Sequence, residues 1–347
     1  MTDRLQAELT LSLDGAGAWL DSQVAHLAEH DLLPILRTAE AVEFRSPYGS
    51  FHIRARGKDL RVRVESGDVG GLEVLQETVS HYLTAHDPEL AERMVWRGHD
   101  REETLPANFR EMQVVERRPV SPWMIRLTLR GRDMAAFAER GLHIRLLVPP
   151  RGRAPVWPRR ARSGSVALPE GEDALTVRVY TIRAIRPESG EIDVDVVRHA
   201  GGAVADWAED VEPGARVGVI GPGGGYFPES DWLLIGGDET ALPAIARILE
   251  NRPQGARGRA VIGLRHADAR MDIASPDGVA VEWVVGDEAA LSAAMTAVEL
   301  PVSGAASVWF AGEAEAARRL RTMFREERGL AAGQVSCAGY WRRGGPD

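Results

Sequence analysis

The run Val177-Arg178-Val179-Tyr180-Thr181 carries three side chains suited to one ligand. Residues two apart on a strand share a face, so Arg178 and Tyr180 reach the same ligand while Val177 and Val179 pack behind them. A guanidinium donates paired hydrogen bonds to a diphosphate, and a tyrosine ring offers a stacking surface to a planar ring system. Strict alternation turns Thr181 to the opposite face, so its participation requires the strand to end or bend there. A second arrangement lies at Leu233-Leu234-Ile235-Gly236-Gly237, an apolar run ahead of a helix, the layout of a phosphate-binding strand–turn–helix. Its turn holds Asp238, Glu239 and Thr240. Asp238 or Thr240 is placed to cap the helix, yet the two carboxylates repel a dinucleotide pyrophosphate at the same spot. That pairing predicts a poor conventional dinucleotide pocket, with any nucleotide offset from it. Arg265, His266 and Arg270 follow the next strand, where they suit a 2′-phosphate or form an ordinary basic surface loop.

The elements that position these residues fall into three stretches. Residues 1–96 read as a small α+β domain. Leu20, Val24, Leu27 and Ala28 recur at helical spacing within 16–33, with Trp19 and Leu32 beside them. Strands at 51–55 and 60–64 alternate apolar and polar residues around the turn Gly57-Lys58-Asp59, and a second helix is expected near 70–86. His26, His30, His81 and His86 lie on or beside these helices without a metal-binding spacing or carboxylate partner, so no metal is expected. Residues 97–111, with the charged run RGHDREETLP, read as a linker. Residues 112–228 are strand-rich, punctuated by Pro149-Pro150, Pro187 and Pro213-Gly214, which suits an antiparallel β-barrel. Inside that stretch, 149–169 is rich in Pro, Gly and Arg and long for a structured loop, so mobility is expected. From 229 to 347 strands alternate with helices, which predicts a parallel α/β domain.

The bulk composition narrows the classes of function. The 347 residues carry a net charge of −9, against a general nucleic-acid binder. Residues 1–110 hold −7, residues 111–230 hold +1 and the remainder −3. A less acidic middle suits an anionic ligand, although ordinary variation between domains gives the same split. One cysteine, Cys337, leaves no intrachain disulfide and no Cys-x-x-Cys pair, so redox chemistry has to come from a bound cofactor. The first residues lack the apolar stretch of a signal peptide, and no run approaches the roughly 20 apolar residues of a bilayer span. A cytoplasmic protein without membrane insertion is expected.

A β-barrel followed by an α/β domain is the layout of the ferredoxin reductase superfamily. Within it, RVYTIR, DWAEDVEPGARVGVIGPGG, LLIGGDETALPAIARILE, WFAGEAEA and GYWRRG resemble the siderophore-interacting proteins, the FAD-dependent ferric-siderophore reductase branch. The resemblance covers about 112–344, and 16–96 resemble a small domain of unassigned function sometimes fused to such reductases. It implies that Arg178 and Tyr180 hold FAD and that Thr181 hydrogen-bonds near flavin N5, which makes Tyr180 and Thr181 the catalytic candidates. It implies diphosphate and adenine contacts from His199, Gly201, Gly202 and Ala203, ahead of Trp207. The usual serine donor of that loop is missing here. Asp238, Thr240 and Ala241 are the further cofactor contacts, and Trp341 or Tyr340 is expected to shield the flavin or to anchor the C-terminal tail.

The implied reaction takes electrons from NADPH, NADH or reduced ferredoxin through FAD to a ferric siderophore. Arg183, Arg342 and Arg343 are the expected docking residues, with the arginines of 151–162 as an outer funnel. Relatives often place a basic pair after the strand at 281–285, whereas this chain has Gly286-Asp287-Glu288, which makes the acceptor site less basic. The competing readings are a flavin oxidoreductase with another acceptor and a siderophore-binding protein without turnover.

Overall fold

The computed structural model describes residues 4–29, 33–99, 104–139, 141–224, 230–301 and 306–345. His30, Leu32 and positions 100–103 of the linker lie outside them. The chain forms two compact units, one of residues 1–109 with 150–175 and one of 110–149 with 176–347.

In the first unit, β1 (Leu5–Ser12), α1 (Ala16–Glu29), β2 (Leu36–Arg37), β3 (Ala41–Ser46), β4 (Gly49–Arg56), β5 (Asp59–Ser66), α2 (Val69–His86) and α3 (Leu90–Arg93) follow in order. The strands make an antiparallel sheet ordered β1-β5-β4-β3-β2. Period-two alternation sends Phe51, Ile53, Leu60, Val62 and Val64 to one face, where they bury against Trp19, Leu20, Leu72, Leu75 and Val79. Asp68 starts α2 by accepting a hydrogen bond from the Gly71 amide.

The second unit opens with β6 (Phe109–Ser121), β7 (Met124–Arg130), α4 (Ala135–Glu139) and β8 (His143–Val148). The chain then enters the first unit through the short ribbon β9 (Arg159–Arg160) and β10 (Val166–Ala167). This segment was expected to be mobile and to funnel substrate, but it is held by buried polar contacts. Arg160 is 3% exposed, donates to Gln76 Oε1 at 2.9 Å and lies 3.5 Å from the Glu73 carboxylate. The Ser163 carbonyl accepts from Trp96 Nε1 at 2.8 Å and from the Ser80 hydroxyl. Arg153 pairs with Glu172 and Asp173. Arg160 is therefore buried within this unit and is not a funnel residue, while Arg153 remains half-exposed in its ion pairs.

Back in the second unit, β11 (Thr176–Arg186), β12 (Glu191–Val197), α5 (Ala203–Asp210) and β13 (Arg216–Gly223) complete a closed antiparallel barrel ordered β11-β12-β7-β6-β13-β8. Leu127, Leu146, Ile182, Val194 and Val219 fill it, and Val204 and Ala208 of α5 join the same core. Then come β14 (Trp232–Gly237), α6 (Leu242–Glu250), β15 (Arg257–Leu264), β16 (Gly278–Val285), α7 (Glu288–Ala297), β17 (Ala306–Glu313), α8 (Ala314–Thr322) and β18 (Val335–Trp341). Their strands form a parallel sheet ordered β16-β15-β14-β17-β18. The chain first adds strands on one side of β14 and then on the other, so a crevice is expected at the carboxyl ends of β14 and β17. Among the described residues no helix is long and apolar enough to cross a membrane.

Candidate functional site

Strand β11 lies against β8 with Arg178 opposite Leu146, Tyr180 opposite Ile144 and Thr181 opposite His143. Directly opposed residues share a face. Arg178 and Tyr180 therefore look toward the side on which Ile144 and Leu146 join the barrel core, and Tyr180 packs against that core. Burial pushes the Tyr180 phenol up to about 12, with the nearby Arg178 acting in the opposite sense. Among the described residues Arg178 donates to the Val177 carbonyl at 2.8 Å. The expectation that Val179 packs behind is corrected, since it is 66% exposed, whereas Val177 is half-buried. The strand also does not end at Thr181. It runs on to Arg186, with a register shift between Ile182 and Ala184, and Thr181 is buried on the side away from Tyr180.

After β12 the chain turns through His199 and Gly201, whose φ of +83° suits glycine. Gly202 then occupies the N-cap of α5 with no side-chain cap bond. A Cβ on Gly202 would sit 2.3 Å from the His199 ring, so only glycine lets the ring lie there. The first turn of α5 thus begins at exposed Ala203 without a bond from its N-cap residue, an arrangement suited to an anion, and Asp206 adds a carboxylate to the same turn. Trp207, half-buried, packs on the barrel core.

The turn after β14 differs from expectation. Cβ atoms on Gly236 and Gly237 would meet Met295 Sδ and the Ala311 carbonyl at 2.3 Å, so these glycines serve close packing. The N-cap of α6 is Ala241 without a side-chain cap, and neither Asp238 nor Thr240 fills that role. Asp238 Oδ1 instead accepts from the Thr240 amide at 2.9 Å and its hydroxyl at 2.5 Å, while Oδ2 accepts from Trp341 Nε1 at 2.7 Å. Burial raises the Asp238 carboxyl above the usual range, and these bonds pull it back down. Glu239 accepts from the Arg265 amide, and the Arg265 guanidinium lies 5.5 Å over the Trp341 ring. His266 stacks on Trp123 at 3.9 Å.

The expected docking arginines are unequal. Arg183 makes a bidentate pair with Glu250 at 2.6 and 2.7 Å. It lines a cavity of about 370 Å³ with Arg126, Asp195, Leu242 and Arg270. Arg126 in turn pairs with Asp195 at 2.6 Å. Arg343 pairs with Glu288 at 2.5 Å. Arg342 is exposed, with no ion pair among the described residues. Asp287 caps α7 by accepting from the Ala289 and Ala290 amides, so the acidic Gly-Asp-Glu turn is built into a helix start.

His143 was not anticipated from sequence. It stands opposite Thr181, its Nε2 is 3.0 Å from the Tyr340 hydroxyl, and its ring is perpendicular to the Tyr340 ring. Burial, helped by the Arg247 charge, lowers its pKa to about 4. Arg247 is itself buried and donates to the Ile182 carbonyl at 2.9 Å, which ties α6 to β11. The one sequence signal was a histidine heading a strand that, Arg145 apart, is apolar.

The barrel matches the siderophore-interacting FAD-binding domain over residues 113–226, and the α/β domain matches the siderophore-interacting protein model over 230–344. The ferric vibriobactin reductase ViuB of Vibrio cholerae is 32% identical over 253 residues, spanning 68% of this chain and 90% of the relative. This chain belongs to the siderophore-interacting protein family. The NADPH-dependent ferric-chelate reductase of Escherichia coli is 29% identical to this family member, over 67% of this chain and 92% of the relative. The crystal structure of a siderophore utilization protein from T. fusca superposes with a TM-score of 0.59 at 30% identity, over 71% of this chain and 98% of that one. The residues in place fit the FAD of this family. The uncapped α5 start and the Gly202–His199 cradle suit a diphosphate, and the Arg178 guanidinium has bonds to spare.

Proposed function

We propose that this chain is an FAD-dependent reductase of ferric siderophores, releasing iron as the more weakly chelated Fe(II). The observation that carries the reading is the common face of Arg178 and Tyr180 in a barrel whose α5 begins with uncapped amides, within a family of ferric reductases. FAD, when bound, accepts an electron pair from a donor and passes the electrons on singly. Arg178 and the α5 amides hold its diphosphate, with His199, Gly201, Gly202 and Ala203 shaping the loop around it. Tyr180 supports the flavin ring, Trp341 shields it, and the register shift just after Thr181 supplies the bend by which that residue, on the other face of the strand, is to reach the reacting edge.

The donor we favour is NADPH. Asp238 and Glu239 spend their carboxylate oxygens on Thr240, Trp341 and the Arg265 amide, which weakens the repulsion expected of them. The E. coli relative is NADPH-dependent by name. A reduced nicotinamide donor places the reaction in the cytoplasm. On the acceptor side, Arg183 and Arg343 are neutralised by Glu250 and Glu288, leaving Arg342 as the docking cation, so the preferred chelate carries little negative charge.

The test is anaerobic reduction of the purified, FAD-loaded protein by NADPH, NADH or reduced ferredoxin, followed by re-oxidation with ferric chelates of graded charge. Bleaching by NADPH and fastest recovery with a weakly anionic chelate are expected. A colourless protein that refuses added FAD would sink the reading.

A further inference from the structure

Binding FAD and docking a chelate leave the buried His143 without a task. Its Nδ1 lies 3.5 Å from Thr181 Oγ1 and its Nε2 lies 3.0 Å from Tyr340 Oη, so the imidazole has a hydroxyl at each end, and the Thr181 and Tyr340 side chains are also within hydrogen-bonding reach of each other. Such a unit has two equivalent arrangements. In one, Nδ1–H donates to Thr181 Oγ1 and the Tyr340 hydroxyl donates to Nε2. In the other, the Thr181 hydroxyl donates to Nδ1 and Nε2–H donates to Tyr340 Oη. Passing between them takes one proton in at Thr181 and delivers one at Tyr340, with no net charge left in the buried site. The surroundings favour this. Burial and the Arg247 charge keep the imidazole neutral, and burial keeps the Tyr340 phenol protonated well beyond its usual range.

We propose that Thr181, His143 and Tyr340 form a proton relay serving the re-oxidation half of the reaction, a role that rests on FAD lying against Thr181. Reduced FAD holds two electrons and one proton more than oxidised FAD. Two ferric chelates each take one electron and become ferrous, so one proton must leave for every two irons reduced. Thr181 accepts that proton while passing its own to His143 Nδ1. His143 hands the proton on its Nε2 to Tyr340, and the phenol releases one outward. Without the relay, the proton leaves through solvent exchange at a buried position, and the second electron transfer waits for it. His143 is a positioning and relay residue, since the FAD contact belongs to Thr181.

Two measurements on the full chain test this. The first needs no cofactor: nitrogen NMR of histidine-labelled protein, with His143 assigned by its loss in His143→Gln. A neutral ring exchanging between both tautomers at pH 7 is expected, with Tyr340→Phe locking it into one. A charged ring, or a single tautomer unaffected by Tyr340→Phe, overturns the relay. The second is single-turnover re-oxidation of the reduced, FAD-loaded protein by a ferric chelate. His143→Gln keeps a donor and an acceptor but cannot exchange tautomers. With FAD affinity and melting temperature unchanged at pH 7, it should re-oxidise at least about tenfold more slowly. Its rate should rise with added imidazole buffer, while the wild-type rate does not. Wild-type speed in His143→Gln overturns the relay and leaves the reductase reading standing. Failure of the wild type to bind FAD removes that reading and with it the relay's role, while the NMR result still judges the proton unit itself.

Discussion

Trp341 Nε1 donates to Asp238 Oδ2 at 2.7 Å and thereby joins the end of β18 to the turn after β14. Gly312 on β17 lies directly beneath, since a Cβ there would stand 2.9 Å from the same carboxylate oxygen. These three positions surround the crevice where the strand order reverses, the place at which open α/β sheets take up nucleotides. Trp341, with the Arg265 guanidinium over its ring, therefore stands where a nicotinamide must enter. A hydrogen bond to a carboxylate contributes about 1.5 kcal/mol, which corresponds to about tenfold in affinity. The double variant Trp341→Ala, Asp238→Asn, which opens the entry without baring a carboxylate, is expected to lower the KM for NADPH by about that factor with a smaller change in kcat, measured by steady-state chelate reduction. An unchanged or higher KM contradicts the placement.

His143 makes stability depend on pH with a sign that can be worked out. Its folded pKa is about 4, below the usual value of 6.5. Between those two values the unfolded chain binds the proton more readily. The stabilisation is therefore complete above pH 6.5 and is lost as the pH falls toward 4. The difference corresponds to roughly 3 kcal/mol. Carboxylates titrate in the same window, so the wild type has to be compared with His143→Gln. Chemical denaturation at pH 7 and pH 4.5 should show the wild type losing more stability than the variant. Equal losses would mean that His143 is not buried as described.

Much of this was legible in the sequence because it rests on local periodicity. The barrel strands, the α/β alternation and the shared face of Arg178 and Tyr180 all follow from spacing within a few residues. What escaped is what only distant packing creates. His143 acquires its neighbours from positions 38 and 197 residues away, and its own strand says nothing of either. Gly236 and Gly237 looked like a phosphate turn, yet their missing Cβ atoms are needed by Met295 and Ala311. The arginines of 151–162 looked like a solvated loop, because composition cannot reveal that Glu73 and Gln76 on α2 wait for Arg160.

That last contact carries a prediction for the first unit. Arg160 and Glu73 are both 3% exposed in their side chains, and Glu73 also accepts from the Ala107 amide at 2.6 Å. Breaking a buried ion pair costs about 3–5 kcal/mol, and His99 Nε2, 3.4 Å from the Glu73 carboxylate, offsets part of that here. Arg160→Met should lower the denaturant midpoint accordingly. The double variant Glu73→Gln, Arg160→Met should recover part of the loss, because no buried charge is then left over. Equal destabilisation of single and double variants would count against an ion pair.

Arg178 gives the most direct test of how FAD is held. Its guanidinium leaves a barrel strand on the same face as Tyr180, and among the described residues its hydrogen bond goes to the Val177 carbonyl. Charge-assisted hydrogen bonds to a phosphate contribute about 1.5–3 kcal/mol, a loss of about ten- to a hundredfold in affinity when they are removed. Arg178→Ala should weaken FAD binding by that amount while leaving the melting temperature of the FAD-free protein close to wild type. Arg178→Lys keeps the charge but lacks the paired donors, so its affinity should fall between the two. Titrating FAD into the three proteins and following flavin fluorescence measures the order directly. Undiminished affinity in Arg178→Ala would assign the diphosphate to the α5 amides and the His199 loop alone.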